Sequence, residues 1–110
     1  MKVKTADTFS RRFIGAMFKK PDYALALKPC NCIHTFFCRV PLDIYYIDNE
    51  GTVIRSVYNM RPWRFGPVER GASMVLEIPV PNNIKIRTGQ KVFAKGAWMF
   101  DQENGEAVKV

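Results

Sequence analysis

The chain has 110 residues, 47% of them hydrophobic and 13% aromatic, with a formal net charge of +7. That length suits one domain with one self-sufficient core, and the apolar content excludes a disordered chain. No apolar run approaches the roughly 20 residues that span a bilayer, and no apolar stretch of signal-peptide type follows the N-terminal charges, so the expected location is cytoplasmic.

Met1 to Thr5 alternates Val3 with lysines and reads as a short strand. Thr8 or Asp7 then offers an N-cap, and Phe9, Phe13 and Met17 recur at the spacing of one helix face. Arg11 and Arg12 turn outward from that face, and Pro21 ends the predicted helix in the KKPDY turn. Ala24 to Leu27 is a brief apolar run.

Pro29 to Asp48, PCNCIHTFFCRVPLDIYYID, is the stretch the rest is arranged around. At period two its even positions run Cys30, Cys32, His34, Phe36, Cys38, Val40, Leu42, Ile44, Tyr46, an almost wholly apolar face. This predicts a strand pair or one long bent strand through the core, with the thiols hidden in a sheet. Pro41 cannot donate to a ladder, so the strand is expected to bulge, bend or lie at an edge there.

Asp48 to Gly51 is a tight turn in which Gly51 takes positive φ, and Thr52 to Tyr58 returns as the second strand of a hairpin. Asn59 to Gly71, NMRPWRFGPVERG, is the one long loop. Ala72 to Ile78 alternates with Met74, Leu76 and Ile78 inward and Glu77 outward. Ile84 to Ile86 leads to a Thr88-Gly89 turn, and Lys91 to Ala94 is a further strand. Glu103-Asn104-Gly105 reads as the turn of a last ribbon, so residues 97–110 are the least determined. The fold class is mainly β: a compact sandwich or partly open barrel with one short N-terminal helix, its ends covered by the helix and the tryptophan loop.

With these elements in place, the chain resembles the prokaryotic domain-of-unknown-function-192 family. Ala6, Thr8, Arg12, Gly15 and Met17 are similar to its opening A-x-T-x-x-x-R-x-x-G-x-M region. Cys30-Asn31, Ile33-His34-Thr35-Phe36-Phe37 and Pro41-Leu42-Asp43-Ile44 resemble its central block. Pro62-Trp63-Arg64 resembles its PWR loop, and Val75-Leu76-Glu77-Ile78-Pro79 its VLELP strand. Gln90 stands where the family usually has an acid after Gly89, Cys32 where relatives typically carry Ser, and Cys38 where they carry Met. The resemblance implies a β-rich, jelly-roll-like fold and brings no established activity.

Several residue sets invite chemistry. Cys30, Cys32, His34 and Cys38 suggest a metal or thiol site, but an extended strand would set Cys30 and Cys38 about 27 Å apart, and a tetrahedral zinc needs every ligand near one centre. A Cys30–Cys32 disulfide fails for a similar reason, so no catalytic group, metal or cofactor is assigned. His34, the only histidine, reads first as a structural side chain and second as a ligand contact. Asp43 is expected to pair with Arg39 or a loop arginine.

The loop Arg61-Pro62-Trp63-Arg64-Phe65 is the best binding candidate, because Trp and Arg anchor interfaces most often. Its alternative role is to cap the β core, with Arg64 on Asp43. The leading expectation is a non-enzymatic binding or interaction module in which His34, Arg39, Asp43, Trp63 and Arg64 contact a small anionic or peptide ligand. The alternatives are a thiol- or metal-dependent enzyme at Cys30 and His34, and nucleic-acid binding through the basic N-terminal third. Residues 1–40 carry eight Lys/Arg against two Asp, although such scattered charges are ordinarily plain solvated surface. Oligomeric state is left open.

Overall fold

In a computed structural model the structure describes residues 3–6, 24–35, 38–82, 84–95 and 98–101, with the backbone alone described for 3–6, 93–95 and 98–101. The expected helix from Thr8, the KKPDY turn and the Glu103–Gly105 turn lie outside the described residues. What is described is mainly β, with no helix.

Seven strands follow in order: β1 (Val3–Ala6), β2 (Ala24–Leu27), β3 (Leu42–Ile47), β4 (Val53–Met60), β5 (Met74–Pro79), β6 (Val92–Lys95) and β7 (Trp98–Asp101). Five form one sheet in the order β1-β2-β5-β3-β4, and β6 with β7 forms a separate ribbon. The four strands β2, β5, β3 and β4 run antiparallel to their neighbours, and β1 joins β2 in parallel. The sheet ends at β1 and β4, so among the described residues it is open and not closed on itself.

β3 lies between β5 and β4, and all six of its residues are buried. The apolar alternation read from the sequence is one face of this strand: Leu42, Ile44 and Tyr46 pack with Ile33, Cys38, Met60 and Val75. Tyr45 and Ile47 face the other way, against Ala24, Ala26, Leu76, Ile78, Ile84, Ile86 and Val92. Burying each such aliphatic or aromatic side chain contributes about 1.5–3 kcal/mol, which places the stability of the fold on both faces of this strand.

The β3–β4 turn forms as the sequence predicts. Gly51 has φ 86°, and the Asp48 carboxylate accepts from the N–H groups of Glu50 and Thr52, both at 2.9 Å. That Asx-type pairing explains why the acid precedes the glycine.

Two expectations about the strands fail. The strand from Pro29 does not form: apart from one isolated bridge at His34, the described residues from Lys28 to Pro41 are irregular, and β3 begins only after Pro41. The thiols are therefore not ranked inside a sheet. Cys32 is exposed, Cys30 half-buried and Cys38 buried. Glu77 does not face outward either. It is 3% exposed, because β5 lies between β2 and β3 and both its faces are covered.

Candidate functional site

Instead of a strand pair, residues 31–35 form an irregular ribbon with residues 63–69. Glu69 N–H donates to the Asn31 carbonyl at 2.9 Å, Gly66 N–H to Ile33 at 2.8 Å and Trp63 N–H to Thr35 at 3.0 Å. Between them His34 and Phe65 make an isolated antiparallel bridge. The loop does not cap an end of the core. It crosses the Tyr46 face of the sheet, where the Tyr46 hydroxyl donates to the Pro67 carbonyl at 2.6 Å.

Gly66 makes that close approach possible. A Cβ there would stand 2.8 Å from the Tyr46 hydroxyl and 3.0 Å from Ile33. Arg55 and Glu69 pair at 3.7 Å where the ribbon passes β4.

Thr35 organises the loop. It is wholly buried. Its hydroxyl donates to the Arg61 carbonyl at 2.6 Å and accepts from the Arg64 N–H at 2.8 Å. Its own N–H donates to the Arg64 carbonyl at 2.8 Å. Trp63, between these anchors, is held at φ 66°, a left-handed conformation that a bulky residue adopts only when its surroundings over-determine it. A lone threonine in an apolar run gave no signal of this role; its partners are about thirty residues away in sequence.

With the backbone fixed, the side chains face solvent. Trp63 is 56% and Phe65 78% exposed, with Val68 at 62%. Arg61, Arg64 and Arg70 are exposed beside them. Such an array of aromatic and guanidinium groups can stack on a planar or apolar group and hold an anion.

The five residues singled out from the sequence divide. His34, Trp63 and Arg64 meet in the ribbon. Arg39 is exposed on the segment leading to β3. Asp43 lies elsewhere and pairs with neither Arg39 nor Arg64. It is 1% exposed and accepts from Asn59 N–H at 2.8 Å, Asn82 Nδ2 at 3.1 Å and Lys85 Nζ at 3.1 Å. Its work is to tie the segment after β5 to β3 and β4. Lys85 also lies 4.7 Å over the Tyr58 ring.

Cys38 lies in a deactivating environment. Cys38 is pushed up to about 11 by burial and then by the charge of Glu77, so it holds its proton near neutrality. The Cys30 thiol donates to the Cys32 carbonyl at 2.9 Å. An open hollow of about 210 Å³ beside it is lined by Pro29, Cys30, Asn31, Ala72 and Ser73. Among the described residues no three His, Cys, Asp or Glu side chains gather closely enough to hold a metal ion.

Comparison with known proteins adds kinship. A family model, DUF192, described as Uncharacterized ACR, COG1430, matches residues 1–93. A UPF0127 protein of Pyrococcus abyssi is 35% identical over 99 residues, covering 83% of this chain and 84% of the relative. One from Pyrococcus horikoshii is 34% identical over 98 residues, covering 82% and 84%.

Among solved structures, a protein of unknown function from Novosphingobium aromaticivorans matches with a TM-score of 0.63 and 21% identity. The match covers 70% of this chain and 61% of that one. A protein of Sinorhizobium meliloti named as a candidate transcription regulator matches with a TM-score of 0.62 and 23% identity, covering 70% and 67%. At these identities the two structures speak for the fold.

Proposed function

The chain belongs to the uncharacterised DUF192 family, and from that premise we propose that it is a non-enzymatic, cytoplasmic binding module that presents the 61–65 loop to an anionic or peptide ligand. One observation carries the reading. Of the large exposed hydrophobic residues among those described, Trp63, Phe65 and Val68 lie together on the ribbon that crosses the Tyr46 face, which also exposes Arg61, Arg64 and Arg70; the fourth, Tyr58, is on the opposite face. Scattered single apolar residues on a surface need no explanation, but an exposed cluster on a hydrogen-bonded scaffold is the usual mark of an interface. Preorganisation by Thr35 serves the same end, since a fixed loop loses less entropy when a ligand arrives. In this reading His34 places Phe65 through the backbone bridge, Trp63 and Arg64 contact the ligand, and Arg39 and Asp43 are left out of the contact surface.

The test is a paired substitution, Trp63→Ala with Arg64→Ala, in a protein whose circular dichroism and unfolding midpoint show it still folded. Ligands or partners captured by the parent from a lysate of its own host should be lost. Capture of the same set by the variant removes the reading.

A further inference from the structure

The exposed cluster adjoins a second feature. β4 is the last strand of the sheet; among the described residues no backbone–backbone hydrogen bond outside the sheet engages Ile54 to Met60, and the Asn59 N–H donates to the Asp43 carboxylate. The outer edge is occupied only at its start, where Val53 N–H donates to the Gln90 carbonyl at 2.9 Å and Gly89 N–H donates to Val53 at 2.7 Å. Register shifts bracket the strand, yet between them Arg55, Ser56 and Val57 pair regularly with Tyr46, Tyr45 and Ile44. An edge strand of this kind is a template for another extended segment.

Side chains flank the edge on both sides. Arg55 and Val57 share the Tyr46 face that the 63–69 ribbon crosses, and Arg55 is 48% exposed. On the opposite face Tyr58 meets Tyr45 edge-on at 6.0 Å, with Lys85, 61% exposed, over its ring. A strand laid along β4 would send alternate side chains to these two faces.

The charge around the edge is mostly positive, with two of the cations already paired, Arg55 with Glu69 and Lys85 with Asp43. From Val53 to Lys91 the chain carries Arg55, Arg61, Arg64, Arg70, Lys85, Arg87 and Lys91 against Glu69 and Glu77. Glu77 is buried and Glu69 is already paired with Arg55.

We infer that the ligand of this surface is an extended acidic peptide segment, which adds as a strand to the outer edge of β4 and sets its apolar side chains against Tyr58 on one face and the Trp63 loop on the other. The inference rests on the binding-module reading and names its partner class. Peptide is favoured over single-stranded nucleic acid because Arg55 sits on a strand edge that, among the described residues, has no backbone partner from Ile54 to Tyr58, and a nucleic acid strand cannot complete such an edge.

The experiment uses the whole chain and a fluorescent peptide in which adjacent isoleucine–phenylalanine pairs, one side chain for each face of the added strand, are separated by pairs of glutamates. Three comparators accompany it: the same peptide N-methylated at alternate residues, a lysine-for-glutamate version, and oligo-dT. The expected result is binding of the first peptide alone, weakened at least about tenfold by N-methylation, with slowed amide exchange at Ser56 and Tyr58. Binding lost in the Trp63→Ala/Arg64→Ala variant but indifferent to N-methylation overturns strand addition and leaves the module reading standing. Binding of oligo-dT in preference to the peptide, weakening steeply with salt, overturns the peptide class. No binding of any probe overturns the acidic-peptide inference, while the module reading stands or falls by the capture experiment.

Discussion

Thr35 grips Arg64 from both sides of one residue: the Thr35 N–H donates to the Arg64 carbonyl and the Arg64 N–H donates to the Thr35 hydroxyl, each at 2.8 Å. The pairing joins two irregular segments where no regular ladder exists, and it keeps the tryptophan loop in one shape. Replacing Thr35 with Val keeps the volume and removes the hydroxyl. The Arg64 N–H and the Arg61 carbonyl then lose their partner, at a cost of about 1–3 kcal/mol. Equilibrium unfolding should show that loss, limited proteolysis should find the 61–65 loop, and Thr35→Ser should recover most of it.

Gly66 gives a second handle on the same ribbon. An alanine Cβ would press on the Tyr46 hydroxyl at 2.8 Å and on Ile33 at 3.0 Å, both buried by the ribbon itself. Gly66→Ala should destabilise by about 1–3 kcal/mol. Adding Tyr46→Phe removes the atom in the way, so the double variant should lose less than the sum of the two single losses. Strict additivity in a double-mutant cycle would show that the contact is not the cause.

Asp43 is expected to matter through its backbone and amide partners more than through its ion pair. Lys85 is mostly exposed and recovers hydration when Asp43 is removed, whereas the Asn59 N–H is left without its acceptor. Asp43→Ala should therefore cost about 1–3 kcal/mol and Lys85→Met under about 1 kcal/mol. Thermal unfolding of both variants in low and high salt checks the order; a larger loss for Lys85→Met reverses it.

Glu77 predicts a pH dependence. Burial pushes its carboxyl from the ordinary 4.5 up to about 8. In that window the folded chain holds a proton that the unfolded chain has released, so stability is greatest below about pH 4.5 for this group, declines as pH rises, and levels off above about pH 8. Cys38, raised to about 11, and Tyr45 and Tyr46, raised to about 12, titrate above it. Urea unfolding from about pH 5 to about pH 9 should fall by a few kcal/mol in the parent and lose that slope in Glu77→Gln. A slope unchanged in the variant assigns it to another group.

The sequence alone was enough for what depends on neighbours along the chain. Alternation marked Leu42, Ile44 and Tyr46 as one apolar face, the Asp48–Gly51 turn followed from its residue types, and the family blocks around Asp43 and Trp63 led to the family. From Pro29 to Cys38 the alternation misleads because a periodic apolar pattern does not say whether a strand partner exists; among the described residues, 30–35 exchange backbone hydrogen bonds with 63–73 in irregular pairs. Glu77 departs from its pattern for a related reason. Alternation assigns a polar residue to solvent only if one face of the strand is open, and the strand order that buries both faces of β5 is set by distant segments. The candidate site divides the same way. Trp63 and Arg64 stood out by type, while Thr35, Gly66 and the Lys85 partner of Asp43 became visible only in the tertiary structure, since each acts through a contact that chain order does not encode.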